Sequence, residues 1–232
     1  MGRDAGDDEE VRGKDRMKKK IILIGGGGHC KVVIDAALKQ EKYEIIGIAD
    51  IKEKIGECLL GILFVCCDRE LEKYYRKGIK LAFISAGSTG NPSLRIKLWQ
   101  RVKEIGFKFP NIIHPESIAS QFAQMGEGNF LGEGAIINAG VRIGNQCIIN
   151  SGAIVCHDCE ISDFVHISPG VMISGGVRIG KYSHIGTGTS IRQCIKIGER
   201  TVIGAGSVVL EDMDSNIIAF GNPCKKARKN NV

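Results

Sequence analysis

The sequence predicts an α/β N-terminal domain of Rossmann-like order followed by a parallel β-helix of hexapeptide repeats. Three observations carry that prediction. An aliphatic residue recurs at every sixth position from Met125 to Val209. Strand-like and helix-like segments alternate between residues 18 and 105. Glycine supplies 31 of 232 residues, about 13% against a usual share of about 7%.

The hexads come first because they fix the larger part of the chain. Met125, Leu131, Ile137, Ile143 and every sixth residue on to Ile203 and Val209 is Ile, Leu, Val or Met. A period of six suits neither an α-helix nor a flat alternating strand. It suits a coil with three sides, each one hexapeptide long, so that residues 18 apart stack about 4.8 Å apart along ladder hydrogen bonds. The position four after each aliphatic, as in Ala135, Cys147, Ala153, Cys159, Val165, Val171, Thr189 and Ser207, is expected to complete the core. Of the sixteen glycines between 125 and 214, seven follow the inward aliphatic directly and eight lie three after it. These are turn and close-approach positions, where a side chain is costly. Gly175, two after Ile173, is the sixteenth.

Ahead of the repeat, residues 21–24 (IILI) form an apolar run that ends in Gly25, Gly26, Gly27 and Gly28, and helical spacing follows over 29–40. A second strand is expected at 44–49 ending at Asp50, a helix at 69–77, a third strand at 80–85 and a helix from Asn91-Pro92 to about 105. The chain divides into a disordered segment 1–16, a Rossmann-like domain 17–110, a β-helix 111–220 and a basic tail 221–232. The net charge of +6 owes four units to Lys225, Lys226, Arg228 and Lys229, and no basic stripe interleaved with aromatics argues for nucleic acid. No run of 18 apolar residues predicts a membrane span. The charged start lacks a signal-peptide core, so a cytoplasmic location with reduced cysteines is expected.

Candidate chemistry follows from the grid. His157 occupies the coil position of Gly175 one coil later and of Ala139 one coil earlier, which leaves space beside its imidazole. A base beside an unshielded backbone N–H suits acyl transfer. Asp158 follows directly and is placed to orient His157. The plainer alternative is a surface histidine at a turn. His166 and His184, 18 apart, are expected to stack, but a zinc site needs a third ligand and His157 lies on another hexad position, so no metal is expected. The C-x-x-C pair Cys156 and Cys159 reads as packing, since the grid turns Cys159 inward. The turn Gly25–His29 sits where a phosphate would meet a helix N-terminus. Cys30 stands where a dinucleotide fingerprint needs glycine, so a single nucleotide or nucleotide-sugar is favoured over NAD. Asp50 is placed to reach its ribose or base. A tight turn without a ligand is the alternative.

The glycine turn before His29, the IIHPES segment at 112–117, HDCEISDFVHISPG at 157–170, the hexads and the closing Gly221-Asn222-Pro223 together resemble the sialic acid O-acetyltransferase and sugar-nucleotide N-acetyltransferase family. The resemblance runs from about Lys18 to Arg228. It implies a homotrimer of left-handed β-helices with sites between subunits, using acetyl-CoA to acetylate the 4-amino group of a nucleotide-linked 4-amino-4,6-dideoxy sugar. In that frame His157 is the general base tuned by Asp158, and the Gly175 N–H meets the thioester carbonyl. Gly176 and His166 contribute to the acetyl-CoA and acceptor side. Gly25, Gly26, Gly27, Gly28, His29 and Asp50 hold the nucleotide, and the later coils and basic tail take CoA. Two positions depart from the family pattern: Asp50 is followed by Ile51 rather than a second acidic residue, and the base's partner is Asp rather than the frequent Glu. Three other readings stand beside this one: O-acetylation of a sialic acid or related hydroxyl, a metal-dependent β-helix hydratase, and a non-catalytic nucleotide-binding scaffold.

Overall fold

The structure, a computed structural model, describes residues 18–231; the disorder expected for residues 1–16 lies outside them. The N-terminal domain is a five-stranded sheet in the order β3-β4-β2-β1-β5. Its strands are β1 (Lys19–Ile24), β2 (Tyr43–Asp50), β3 (Cys58–Leu59), β4 (Ile62–Cys67) and β5 (Leu81–Ile84). The helices are α1 (Gly28–Lys39), α2 (Leu71–Arg76) and α3 (Ser93–Ile105). β2 and β5 pair in parallel with the central β1, and β4 in parallel with β2. Alternate residues of β1 serve two cores. Ile21 and Leu23 pack with Val33, Ile34 and Ala37 of α1, while Ile22 and Ile24 pack with Leu71 of α2 and Val102 of α3. A strand covered on both faces reads as an unbroken apolar run, which is why IILI was legible. The antiparallel pair β3-β4 was not expected.

The second half is a left-handed parallel β-helix. Two-residue strands repeat every six residues, and each pairs in parallel with the strand 18 residues on, as Ile148–Ile149 does with His166–Ile167. Every aliphatic of the series from Leu131 to Val209 is buried, and so are Ala135, Cys147, Ala153, Cys159, Val165, Val171, Thr189 and Ser207. Coil-to-coil hydrogen bonds such as Gly132 N–H to Ile149 O (2.8 Å) and Ser168 N–H to Ile185 O (3.0 Å) carry the register upward. The repeat starts earlier than the hexad reading, at Ile112–Ile113 and Ile118–Ala119. It ends in a shortened turn, where Ile197 meets Met213 two residues short of the 18-residue pitch. The tail is not a free segment: Lys225–Lys229 forms a strand antiparallel to Ile217–Phe220.

The three faces of the coil differ. One ladder (Ile112, Phe130, Ile148, His166, His184, Val202 as outward residues) is covered by the N-terminal domain, whose α1 core includes Ile112, Phe130 and Ile148. A second presents Gln124, Arg142, Glu160, Arg178 and Lys196, with Arg142 bonded to Glu160 at 2.6 Å. The third presents Ile118, Ile136, Ile154, Met172, Ser190 and Val208.

The seam between domains holds buried polar groups. Arg95 of α3, 1% exposed, donates to Gln146 O at 2.7 Å, and its Nε and Nη1 have no partner among the described residues. The His166 Nδ1–H donates to Ser88 O at 2.6 Å, which fixes that tautomer. His166 and His184 stack edge to face with ring centroids 4.8 Å apart, and His29 meets Phe130 the same way at 5.0 Å. Burial, reinforced by the nearby Arg95 charge, lowers the His29 pKa to about 3. Burial and the facing His184 lower His166 to about 3, and burial lowers His184 to about 4. Each folded value lies below the ordinary 6.5, so the unfolded chain binds more protons in the window between. Stability is therefore expected to fall as pH drops from about 6.5 towards about 4. Melting temperatures across that window check this. A His166→Asn/His184→Asn variant is expected to flatten the decline, and an unchanged slope would contradict it.

Candidate functional site

His157 lies at the corner between the strands Ile154–Val155 and Glu160–Ile161, the corner opposite the face that the N-terminal domain covers. Its ring is open to solvent, and its Nδ1 is 2.9 Å from Asp158 Oδ2. An ionised carboxylate can only accept, so Nδ1 carries the proton and Nε2 is left with a free lone pair. Gly175 stands over the imidazole. A Cβ on it would come within 2.5 Å of His157 Cε1 and 2.7 Å of Nε2. The exceptional glycine of the hexad grid is thus the one whose missing side chain admits the ring. The two glycines at this corner differ: the Gly176 N–H donates to His157 O at 2.9 Å, whereas the Gly175 N–H has no acceptor among the described residues. Gly175 therefore offers the free donor and Gly176 does not.

The glycine turn forms a second centre. β1 ends at Ile24, and α1 starts at Gly28 with Gly27 as its N-cap. A Cβ on Gly25 would strike Ala86 and one on Gly26 the Phe64 ring, but Gly27 and Gly28 face open space. A cleft of about 390 Å³ opens here, lined by Gly25, Gly26, Gly27, Asp50, Lys54, Asp68, Leu94 and Leu98 among others. The Asp50 carboxylate is largely spoken for: it accepts from Gly26 N–H (2.6 Å), Ile51 N–H (2.8 Å) and Lys54 Nζ (3.1 Å). Burial pushes its pKa up, but the two backbone donors and the lysine outweigh that and hold it below the usual range. Asp50 thus ties the turn to the end of β2, and Lys54 and Asp68 are the charged groups that line the cleft beside it. The His29 ring turns into the seam, where Nε2 has no partner among the described residues.

Within one chain, then, His157, Asp158 and Gly175 come together at one corner. Gly25, Gly26, Gly27 and Asp50 come together at the cleft, and His29 and His166 lie in the seam between the two. His166 and His184 stack as their spacing required. No group of three or more His, Cys, Asp or Glu side chains that could hold a metal occurs among the described residues. Cys159 points inward and donates to Ser174 O at 3.2 Å, with burial pushing its thiol up to about 11, so the C-x-x-C is packing. Sequence reasoning missed Ser88, Lys54, Asp68 and the second wall of the cleft, Ala86 and Gly87. That wall had a readable signal: AGSTGNP at 86–92 is a small-residue turn between β5 and α3, the counterpart of the turn after β1. Among the described residues no helix is long and apolar enough to cross a membrane.

Comparison with known proteins agrees with this architecture. Residues 20–102 match the PglD N-terminal domain, and 158–193 and 176–211 match the bacterial transferase hexapeptide model of six repeats. No curated protein matches the chain by sequence. Among solved structures it is similar to a variant of perosamine N-acetyltransferase from Caulobacter crescentus in complex with CoA and GDP-perosamine. There the identity is 33%, the TM-score 0.85, and the match covers 90% of this chain and 96% of that one. It is also similar to the acetyltransferase domain of PglB from Neisseria gonorrhoeae in complex with acetyl coenzyme A. That match has 32% identity and a TM-score of 0.84, and covers 90% of this chain and all of that one. With both domains matched in order and nearly the full length shared, the chain belongs to the sialic acid O-acetyltransferase and sugar-nucleotide N-acetyltransferase family of hexapeptide-repeat acetyltransferases.

Proposed function

We propose that the protein transfers the acetyl group of acetyl-CoA to the 4-amino group of a nucleotide-linked 4-amino-4,6-dideoxy sugar. The observation that carries this is the His157–Asp158 pair seated under Gly175, a base with its lone pair free beside an unused backbone donor. His157 Nε2 takes a proton from the sugar amine as the nitrogen attacks the thioester carbonyl carbon, and Asp158 holds the ring and stabilises the imidazolium that forms. The carbonyl oxygen gains negative charge in the tetrahedral intermediate, where the Gly175 N–H is the donor. The C–N bond is then complete, the C–S bond breaks, and the departing CoA sulfur takes the proton from the imidazolium. GDP-perosamine bound to a relative at 33% identity, and acetyl coenzyme A bound to another at 32%, support both substrate classes.

The division of labour follows the domains: 17–110 for the nucleotide-sugar, 111–220 for transfer, the later coils and the tail 221–232 for CoA. The cleft and His157 lie on opposite sides of one coil, so a working site takes the cleft of one chain and the His157 corner of another. The open apolar ladder fits that assembly. Ile118 (63% exposed) and Met172 (46%) stand outward in a face whose other rows include Ile136, Ile154 and Val208. Neither the covered face nor the charged one has this character, and a homotrimer packed through the apolar ladder buries it.

Three outcomes are expected. His157→Ala lowers the yield of acetylated sugar, read by mass spectrometry, by about 10²–10⁴-fold, and near wild-type turnover would sink the assignment. Gly175→Ala, at a position without positive φ, keeps its fold by circular dichroism but loses about 10²-fold in turnover because the Cβ displaces the ring. Met172→Glu shifts the mass by light scattering from trimer to monomer and abolishes activity with it; an active monomer would refute the shared site.

A further inference from the structure

Eight glycines of the repeat share the left-handed turn position three after the inward aliphatic, and their φ values lie between 65° and 75°. That conformation alone does not demand glycine here. Gln146, Asp158, Phe164, Tyr182, Cys194 and Arg200 occupy the same turn position in other hexads with φ of 51° to 64°. What distinguishes the glycines is therefore the space each leaves. Around Gly152, Gly170, Gly188 and Gly206 no atom of the described residues lies within 4 Å of an added Cβ, and at Gly134 the nearest atom is backbone at 3.8 Å. Gly128, Gly140 and Gly176 each face the side chain at the same turn one coil later, which is the Gln146 amide, the Asp158 carboxylate and Cys194 Sγ in turn, and of the three Gly140 is the one that faces the partner of His157. A Cβ on Gly140 would come 2.5 Å from Asp158 Oδ1 and 3.5 Å from Asp158 Cγ. Gly140 lies one coil before Asp158, and the Asp158 N–H donates to the carbonyl of the neighbouring Ala139 at 3.2 Å, so the two turns are held in register by backbone.

We infer that Gly140 is a positioning residue for the catalytic dyad: its missing side chain is the seat of the Asp158 carboxylate, as the missing side chain of Gly175 is the seat of the His157 ring. Asp158 itself sits in the left-handed conformation, with φ of 59°. That geometry points its short carboxylate at two places, with Oδ2 to His157 Nδ1 and Oδ1 over Gly140. The dyad is therefore clamped between two glycines, one coil below and one coil above, and its precision comes from backbone ladders rather than from packed side chains. The inference rests on the reading of His157 as the base.

The test compares wild type with Gly140→Ala, Asp158→Ala, the double variant Gly140→Ala/Asp158→Ala, His157→Ala and the control Gly134→Ala. Each is assayed with acetyl-CoA and the GDP- or UDP-linked 4-amino-4,6-dideoxy sugar that wild type turns over. Gly134→Ala carries the same backbone penalty without a nearby side chain and is expected to keep its turnover. Gly140→Ala is expected to lose about 10²-fold in kcat with KM for both substrates nearly unchanged, because a displacement of about 1 Å at a reacting group has that effect. The double variant is expected to match Asp158→Ala, since with the carboxylate gone nothing remains to displace. If Gly140→Ala melts well below Gly134→Ala, the double variant is expected to regain that melting temperature. Gly140→Ala as active as Gly134→Ala, or a double variant that adds the two losses or stays as unstable as the single, overturns the inference. An active His157→Ala instead overturns the reading of the base.

Discussion

The 18-residue register of the coil is the constraint on which the rest depends. Backbone hydrogen bonds lock each hexapeptide over the one a full coil earlier, as in Gly176 N–H to His157 O and Asp158 N–H to Ala139 O. Position in the sequence then decides what stacks on what. Inward aliphatics meet aliphatics and form one continuous core from Leu131 to Val209. At a corner the same rule sets neighbours that no core packing supplies, so an exposed histidine gains a defined place only because glycine lies 18 residues away. The arrangement is rigid for a physical reason: a residue cannot slide along a ladder without breaking the bonds on both sides of it.

The same coil gives its three faces three uses. The covered face accepts the N-terminal domain through Ile112, Phe130 and Ile148, and buries His184 and Arg95 in the seam beside the half-buried His166. A fully buried guanidinium with two nitrogens unpaired among the described residues is costly, and its third nitrogen and the Phe164 ring hold it between α3 and the coil. The charged face remains in water. The apolar face stands open, and the His157 corner borders it.

Much of this was legible in the sequence. The hexads could be read because an inward position admits only aliphatics, and the exceptional Gly175 could be read because it alone fell off the grid. The hexad series could be read only from Met125, inside the expected bounds of 111–220, because the inward residues before it are Ile113 and the small Ala119, with Pro115 between them. The β3-β4 hairpin escaped because β3 is only the two residues Cys58–Leu59, too short to show a period, although ILFVCC after Gly61 is an apolar run. Asp50 was rightly placed at the strand end, but its partners could not be foreseen: they are backbone N–H groups brought to it by the turn. Gly140 looked routine by spacing, and only the direction of the Asp158 side chain sets it apart.

The most direct measurement of the account mixes two inactive chains. One carries His157→Ala, and the other Gly27→Trp, which fills the cleft beside the glycine turn. Each alone is expected to be inactive. Co-expressed and purified by two different tags, the mixed assembly is expected to acetylate the nucleotide amino sugar, because an intact cleft from one chain then faces an intact His157 corner from the other. A mixed assembly that forms but stays as inactive as its parents would contradict the shared site.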